Sequence, residues 1–187
     1  SIGDAAFDFD LGLSHEQKEA LKEMIVRKIN SPLVSSCGRL FDAISALLGV
    51  CYNTTYEGEP AAELEAISDP DENIAYPFDL TSQGEIIFDY RPMIQALLDD
   101  LGKGVRKESI AGRFHSTLAR AMGEMVEDAA SSEGIANIVL SGGSFVNRQL
   151  IVKLKKSLAA KGVRVYLSNG IPPNDGGLSY GQAIIAG

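Results

Sequence analysis

Histidine and cysteine, from which many metal and nucleophile sites are built, are scarce here: two of each in 187 residues. Cys37 and Cys51 do not make a metal-binding spacing. One pair in a chain this size is not a disulfide framework, so a reduced, cytoplasmic setting is expected. Basic charge is in deficit as well, with 17 Lys and Arg against 25 Asp and Glu and a net charge of −8. Nucleic acid is repelled on average, and no Lys/Arg stripe overrules that. The densest basic stretch, "RQLIVKLKK", reads as the solvated face of an amphipathic helix. No apolar run approaches the length of a membrane span and no signal-peptide pattern is present, so no membrane partner is expected. The GxSxG, HExxH and GxxxxGK(S/T) patterns are missing, as are internal repeats and low-complexity segments.

Hydrophobic residues make up 45% of the chain, ample for a core in a unit of this length. Residues 1–13 read as a linker or an artificial start, and structure is expected from Ser14. Ser14 followed by Gln17 fits a capping box, with Leu21, Met24, Ile25 and Ile29 on one helical face. A second helix is predicted from Cys37 to Leu48, with Gly49 at its end. A third follows "YEG", with Pro60 in its first turn. "AYPFDLTSQGEIIFDY" reads as a β-hairpin. "RPMIQALLDDLGKG" is a helix stopped by glycines. The longest helix carries Ile110, Phe114, Leu118 and Met122 in one stripe. Then "NIVLSGG" reads as a short buried strand, "SFVNRQLIVKLKKSLAAKG" as a helix and "VRVYLS" as a strand. Together these three make a βαβ crossover. A loop, "NGIPPNDGG", and a last helix end the chain. The class is α/β, with a mixed sheet, part hairpin and part parallel, flanked by helices.

Three segments could carry chemistry. In "VLSGGSFVNRQL", Gly142 and Gly143 separate a strand from a helix whose first N–H groups are unpaired and partially positive, the geometry of phosphate sites. A tight packing turn explains the same glycines. Asn147 could reach a ribose or phosphate oxygen, or be plain surface. Asp42, near the start of its helix, could accept both ribose hydroxyls or simply offset the helix dipole. Asp175 stands between a stiff Pro172-Pro173 pair and Gly176-Gly177, placement suited to a hard metal or a phosphate-bound Mg²⁺. It could equally cap the last helix. His115, mid-helix beside Phe114, reads as structural, as does Cys37. Asp99-Asp100 and the "PDE" run read as solvated faces.

Taken together and in order, "SSCGRLFDAISALLGV", "YEGEPAAELEA", "IAGRFHSTLA", "LSGGSFVNRQL" and "PPNDGGLSYGQA" resemble the C-terminal part of the HypF carbamoyltransferases over about Ser31 to Gly187. The nearest alternative is the branch that transfers threonylcarbamoyl to tRNA, or another actin-fold kinase. The resemblance implies one lobe, residues 14–187, of an actin/sugar-kinase-like (ribonuclease H-like) ATP-binding domain. In that family a carbamoyl group made from carbamoyl phosphate and ATP passes, as carbamoyl adenylate, to the C-terminal cysteine of HypE. The thiocarbamate becomes a cyanide ligand in nickel–iron hydrogenase maturation. By matching position, Asp42 would hold the ribose and Gly58 would lie against the nucleoside. Gly142, Gly143 and Asn147 would cradle phosphate and sugar, and Asp175 would bind a divalent metal (Mg, Zn or Fe). HypE and the remaining HypF domains are the implied partners. The two histidines that complete the family's metal site have no match here, so this chain alone is expected to be inactive and to bind ATP weakly.

Overall fold

The computed structural model describes residues 12–82 and 85–187, which fall into two compact units divided between Leu64 and Glu65. Most of the stretch read as a linker, and the Gln83-Gly84 pair of the expected hairpin turn, lie outside the described residues.

In the first unit, α1 (His15–Arg27) starts at the expected capping box. Ser14 Oγ accepts the Gln17 N–H at 3.2 Å, and Gln17 Oε1 accepts the Ser14 N–H at 2.8 Å. The apolar stripe of α1 stays uncovered, and none of its residues is buried. α2 (Cys37–Leu47) does bury its face: Phe41, Ile44 and Leu48, at i, i+3 and i+7, are sealed from solvent. The chain turns out of α2 at Gly49, in the left-handed region, where the Val50 N–H reaches the Ser45 carbonyl at 2.9 Å. The unit boundary falls within α3 (Glu59–Ile67), whose first turn holds Pro60 as expected.

The second unit is built on α4 (Arg91–Gly102), α5 (Lys107–Glu133) and α6 (Arg148–Ala159). Ile110, Phe114 and Leu118 on α5, Met93 and Leu97 on α4, and Leu150, Leu154 and Leu158 on α6 are fully buried or nearly so. Each such side chain is worth roughly 1.5–3 kcal/mol of burial. α5 and α6 approach closely at Gly123, where a Cβ would stand 2.8 Å from Ser157 Oγ.

The strands form two separate sheets rather than one mixed sheet. β1 (Asp79–Ser82) and β2 (Ile86–Asp89) are an antiparallel hairpin, with Leu80 opposite Phe88. β3 (Asn137–Leu140) and β4 (Arg164–Leu167) are parallel across α6, with Leu140 opposite Leu167. The two pairs are separated in sequence by α4 and α5 and share no ladder. β3 is not the fully buried strand expected: Leu140 is buried, but Val139 and its partner Tyr166 face solvent, the alternation of a half-covered sheet.

A second correction concerns the acidic residues read as solvated. The segment 69–76 lies against α5 and is tied down along its length. The Asp69 N–H donates to the Glu108 carbonyl at 3.0 Å, the Tyr76 N–H to Thr117 Oγ1 at 2.8 Å, and Ser116 Oγ to the Glu72 carbonyl at 2.8 Å. Arg113 then bridges Glu72 and Asp100, at 3.2 and 2.7 Å, and Tyr76 Oη donates to the same Asp100 oxygen at 2.8 Å. From α6, Lys153 Nζ reaches the Glu72 carbonyl at 2.6 Å, and desolvation holds this ammonium below its ordinary pKa. Glu72 and Asp100 are therefore partners in a half-buried charge cluster. Burial and the Asp100 hydrogen bond push the Tyr76 phenol well above its usual range.

Candidate functional site

Because β3 and β4 are parallel and paired to their last residues, the chain leaves both at one edge of the sheet. The carboxyl ends of parallel strands are where α/β folds place ligands. Two glycine-bearing loops meet there. The first leaves β3 at Ser141; the second leaves β4 at Ser168, and Ser168 Oγ donates to the Ile171 carbonyl at 2.7 Å. The Gly142 N–H donates to the Pro173 carbonyl at 2.7 Å and joins the two. Gly142 itself has φ 108°, a conformation that L side chains rarely adopt.

The helix expected directly after Gly143 begins later. Gly143–Val146 is a 3-10 turn, and α6 starts at Arg148 with Asn147 as its N-cap. Asn147 Oδ1 accepts the Leu150 N–H at 2.8 Å, and the Gln149 N–H donates to Glu65 Oε1 at 2.9 Å. The positive end of α6 is thus answered by the protein's own carboxamide and carboxylate. The N–H groups of Gly143 and Ser144, at the mouth of the turn, have no acceptor among the described residues. These are the donors left to face a ligand.

Asn147 is not surface. It is buried, and its Nδ2 lies 3.1 Å from His115 Nε2. His115, fully buried on α5, places Nδ1 2.8 Å from the Ala111 carbonyl. Burial lowers its pKa to about 4, so the ring is neutral at physiological pH. The structural reading of this histidine holds, and it has a specific partner.

In the second loop the capping role expected of Asp175 falls to its neighbour. Asn174 Oδ1 accepts the Gly176 N–H at 3.2 Å and the Asn174 carbonyl accepts the Gly177 N–H at 2.9 Å, so Asn174 caps the turn Asp175–Gly177. The Asp175 carboxylate is exposed and pairs with no described residue, while its carbonyl accepts the Leu178 N–H. A Cβ at Gly177 would stand 2.6 Å from the Pro172 carbonyl, so the Pro-Pro and Gly-Gly pairs pack on each other and fix the turn between them. The last helix, α7 (Leu178–Ala186), follows at once.

Asp42 and Gly58 lie in the first unit. Asp42 is half-buried, within α2 but past its first turn, and accepts from Arg39 Nη1 at 3.1 Å. A dipole effect confined to the first turn does not explain it. Gly58 precedes α3 at φ 86°, with no atom within 4 Å of a Cβ built there. Nearby, burial, with the Glu63 and Glu59 carboxylates, pushes the Cys51 thiol up. Among the described residues no group of three or more His, Cys, Asp or Glu could hold a metal ion. Sequence reasoning missed Glu65 and the His115–Asn147 pair. No local pattern marks either, since their partners lie 84 and 32 residues away.

The family model described as the second subdomain of the Kae1-like domain of carbamoyltransferase HypF matches residues 4–182. A carbamoyltransferase HypF of Rhodobacter capsulatus is 35% identical over 171 residues, 90% of this chain and 22% of that protein. A probable carbamoyltransferase HypF of Methanocaldococcus jannaschii is 30% identical over 190 residues, 98% of this chain and 24% of that protein. A crystal structure of full-length HypF in its phosphate- and nucleotide-bound form matches with a TM-score of 0.89 at 34% identity, covering 97% of this chain and 24% of that one. A tRNA N6-adenosine threonylcarbamoyltransferase of a Synechococcus species matches less well, 26% over 146 residues. The chain thus spans about a quarter of the length of these three HypF proteins. No helix among the described residues is long and apolar enough to cross a membrane.

Proposed function

Because the chain belongs to the HypF carbamoyltransferase family, in the second subdomain of its Kae1-like domain, we propose that it is one lobe of the domain that moves a carbamoyl group from carbamoyl adenylate to the C-terminal cysteine of HypE. In that reaction the acceptor thiolate attacks the carbamoyl carbon and the bond from that carbon to the phosphate oxygen breaks. AMP leaves with the electron pair, and a thiocarbamate remains on HypE. The family setting is cytoplasmic maturation of nickel–iron hydrogenases.

One observation carries the reading: the Gly142–Pro173 hydrogen bond, which sets the Gly-Gly turn and the Asp175 loop side by side at the carboxyl edge of β3 and β4. In this reading the Gly143 and Ser144 N–H groups donate to phosphate oxygens and meet the charge that develops as AMP departs. Gly142 lets the phosphate come close. Asn147 holds the turn in place. Asp175 offers one carboxylate to a divalent ion. One carboxylate does not make a metal site, and among the described residues no cluster completes it. No step is therefore routed through a metal here.

The test uses a full-length HypF protein carrying this segment and follows the mass gain on the C-terminal peptide of HypE. Asp175→Ala and Gly142→Ala are each expected to lower transfer at least about 100-fold, the scale of a lost charge-stabilising contact. Transfer at the unsubstituted rate in both variants would leave this segment a scaffold. For this chain alone, calorimetric titration with ATP and Mg²⁺ is expected to show weak binding. Sub-micromolar affinity would contradict the half-cleft reading.

A further inference from the structure

We propose that His115 is a positioning residue, which through Asn147 sets the Gly143–Val146 turn for the nucleotide phosphates; the ligand half of this assignment rests on the reading above. The pair has one consistent polarity. The Ala111 carbonyl can only accept, so the proton of the ring sits on Nδ1, 2.8 Å away. Nε2 then carries a lone pair and accepts from Asn147 Nδ2 at 3.1 Å. The other end of the same carboxamide, Oδ1, accepts the Leu150 N–H at 2.8 Å. Turning the amide over would set an NH₂ group against the Leu150 N–H and an oxygen against the ring lone pair. The ring therefore fixes the amide, and the amide fixes where α6 begins.

Asn147 also closes the turn itself, its N–H donating to the Ser144 carbonyl at 3.3 Å. Any rotation of Asn147 is thus transmitted to Gly143 and Ser144, whose N–H groups have no acceptor among the described residues. Both side chains are more than nine-tenths buried, so water cannot replace a lost partner cheaply. The loop keeps its two other ties, Gly142 to Pro173 and Gln149 to Glu65, which confines the effect of a His115 substitution to the turn.

The experiment follows the amides of this 187-residue chain by NMR during titration with ATP and Mg²⁺. In the unsubstituted chain the Gly143 and Ser144 amides are expected to shift. His115→Phe keeps an aromatic ring but no acceptor. In that variant, exchange of the Leu150 amide is expected to speed up, and the ATP dissociation constant to rise, by about tenfold each. His115→Gln can return an acceptor oxygen near the Nε2 position and is expected to restore both. Unchanged Leu150 exchange in His115→Phe overturns the proposal, as does equal loss in the Phe and Gln variants, which is the behaviour of packing alone. If Gly143 and Ser144 do not respond to ATP in the unsubstituted chain, the nucleotide reading fails. Leu150 exchange still decides whether His115 positions the turn. Should His115→Phe fail to fold, Asn147→Ser, which keeps a cap but loses the donor to the ring, is expected to weaken ATP binding while leaving Leu150 protected. Unchanged ATP binding in that variant also overturns the proposal.

Discussion

Replacing Arg113 with methionine removes the guanidinium that two carboxylates share. The guanidinium donates to Asp100 at 2.7 Å and to Glu72 at 3.2 Å, and the three side chains are only 21%, 15% and 12% exposed. A charge-assisted bond contributes roughly 1.5–3 kcal/mol, and breaking a buried pair by removing one partner costs roughly 3–5 kcal/mol. Here Asp100 keeps the Tyr76 hydroxyl at 2.8 Å and both carboxylates retain some water. Truncation is therefore expected near the lower end, about 3 kcal/mol. In a chain of this length that corresponds to a melting temperature lower by about 6–12 °C. Urea unfolding followed by circular dichroism gives the free energy. The control is Glu72→Gln, which removes one charge at similar size. It destabilises the unsubstituted chain, but in the Arg113→Met background, where Glu72 keeps only the Ile74 N–H and the field of Lys153, it should cost clearly less. A cost below about 1 kcal/mol for Arg113→Met, or an undiminished cost for Glu72→Gln in that background, would refute the cluster as a source of stability.

Three further outcomes are expected. His115 has a folded-state pKa of about 4 against an ordinary 6.5, so the unfolded chain binds more protons between these values and stability falls as pH drops through that window. The full loss is about 3 kcal/mol, and acid titration of the His115→Phe variant should lack it; an identical slope would refute the assignment. Gly112→Ala is a better helix former, yet its Cβ would meet the Asp69 carbonyl at 2.7 Å and Glu72 Cβ at 2.6 Å. It is expected to destabilise by about 1–3 kcal/mol despite the propensity gain, and a raised melting temperature would show that the 69–76 segment yields. Ser14→Ala should cost α1 about 1 kcal/mol. Because α1 buries no residue, faster amide exchange in its first turn is expected without a change in melting temperature.

The elements were legible where the determinants are local. Ser14 with Gln17, Gly49 after α2 and Pro60 in α3 each act within one turn of helix, and all three are where the pattern put them. The βαβ crossover was legible from two short apolar runs around an amphipathic stretch. What could not be read was the use of polar side chains across long separations. An asparagine after a Gly-Gly pair can reach a ligand or be plain surface, and only its contact with a histidine 32 residues back shows that it is buried. Glu72 and Asp100 look solvated until Arg113, 41 and 13 residues on, joins them. The two neighbours Asn174 and Asp175 are alike as helix starters, and backbone geometry alone gave the cap to the first.

The start of α6 bears on how the proposed site would work. A helix N-terminus already satisfied by Glu65 and Asn147 has little field left for a phosphate, and a carboxylate at that position opposes one. In the proposed reading, recognition passes to two N–H groups in the preceding turn, which lack the leverage of an aligned helix and depend on being held in place. The structure holds them from three sides: Pro173 at Gly142, the ring of His115 behind Asn147, and Glu65 at the start of α6. The acidic residue that weakens the dipole is the same one that anchors the helix. If the turn binds phosphate as proposed, its rigidity rather than its charge is what suits it.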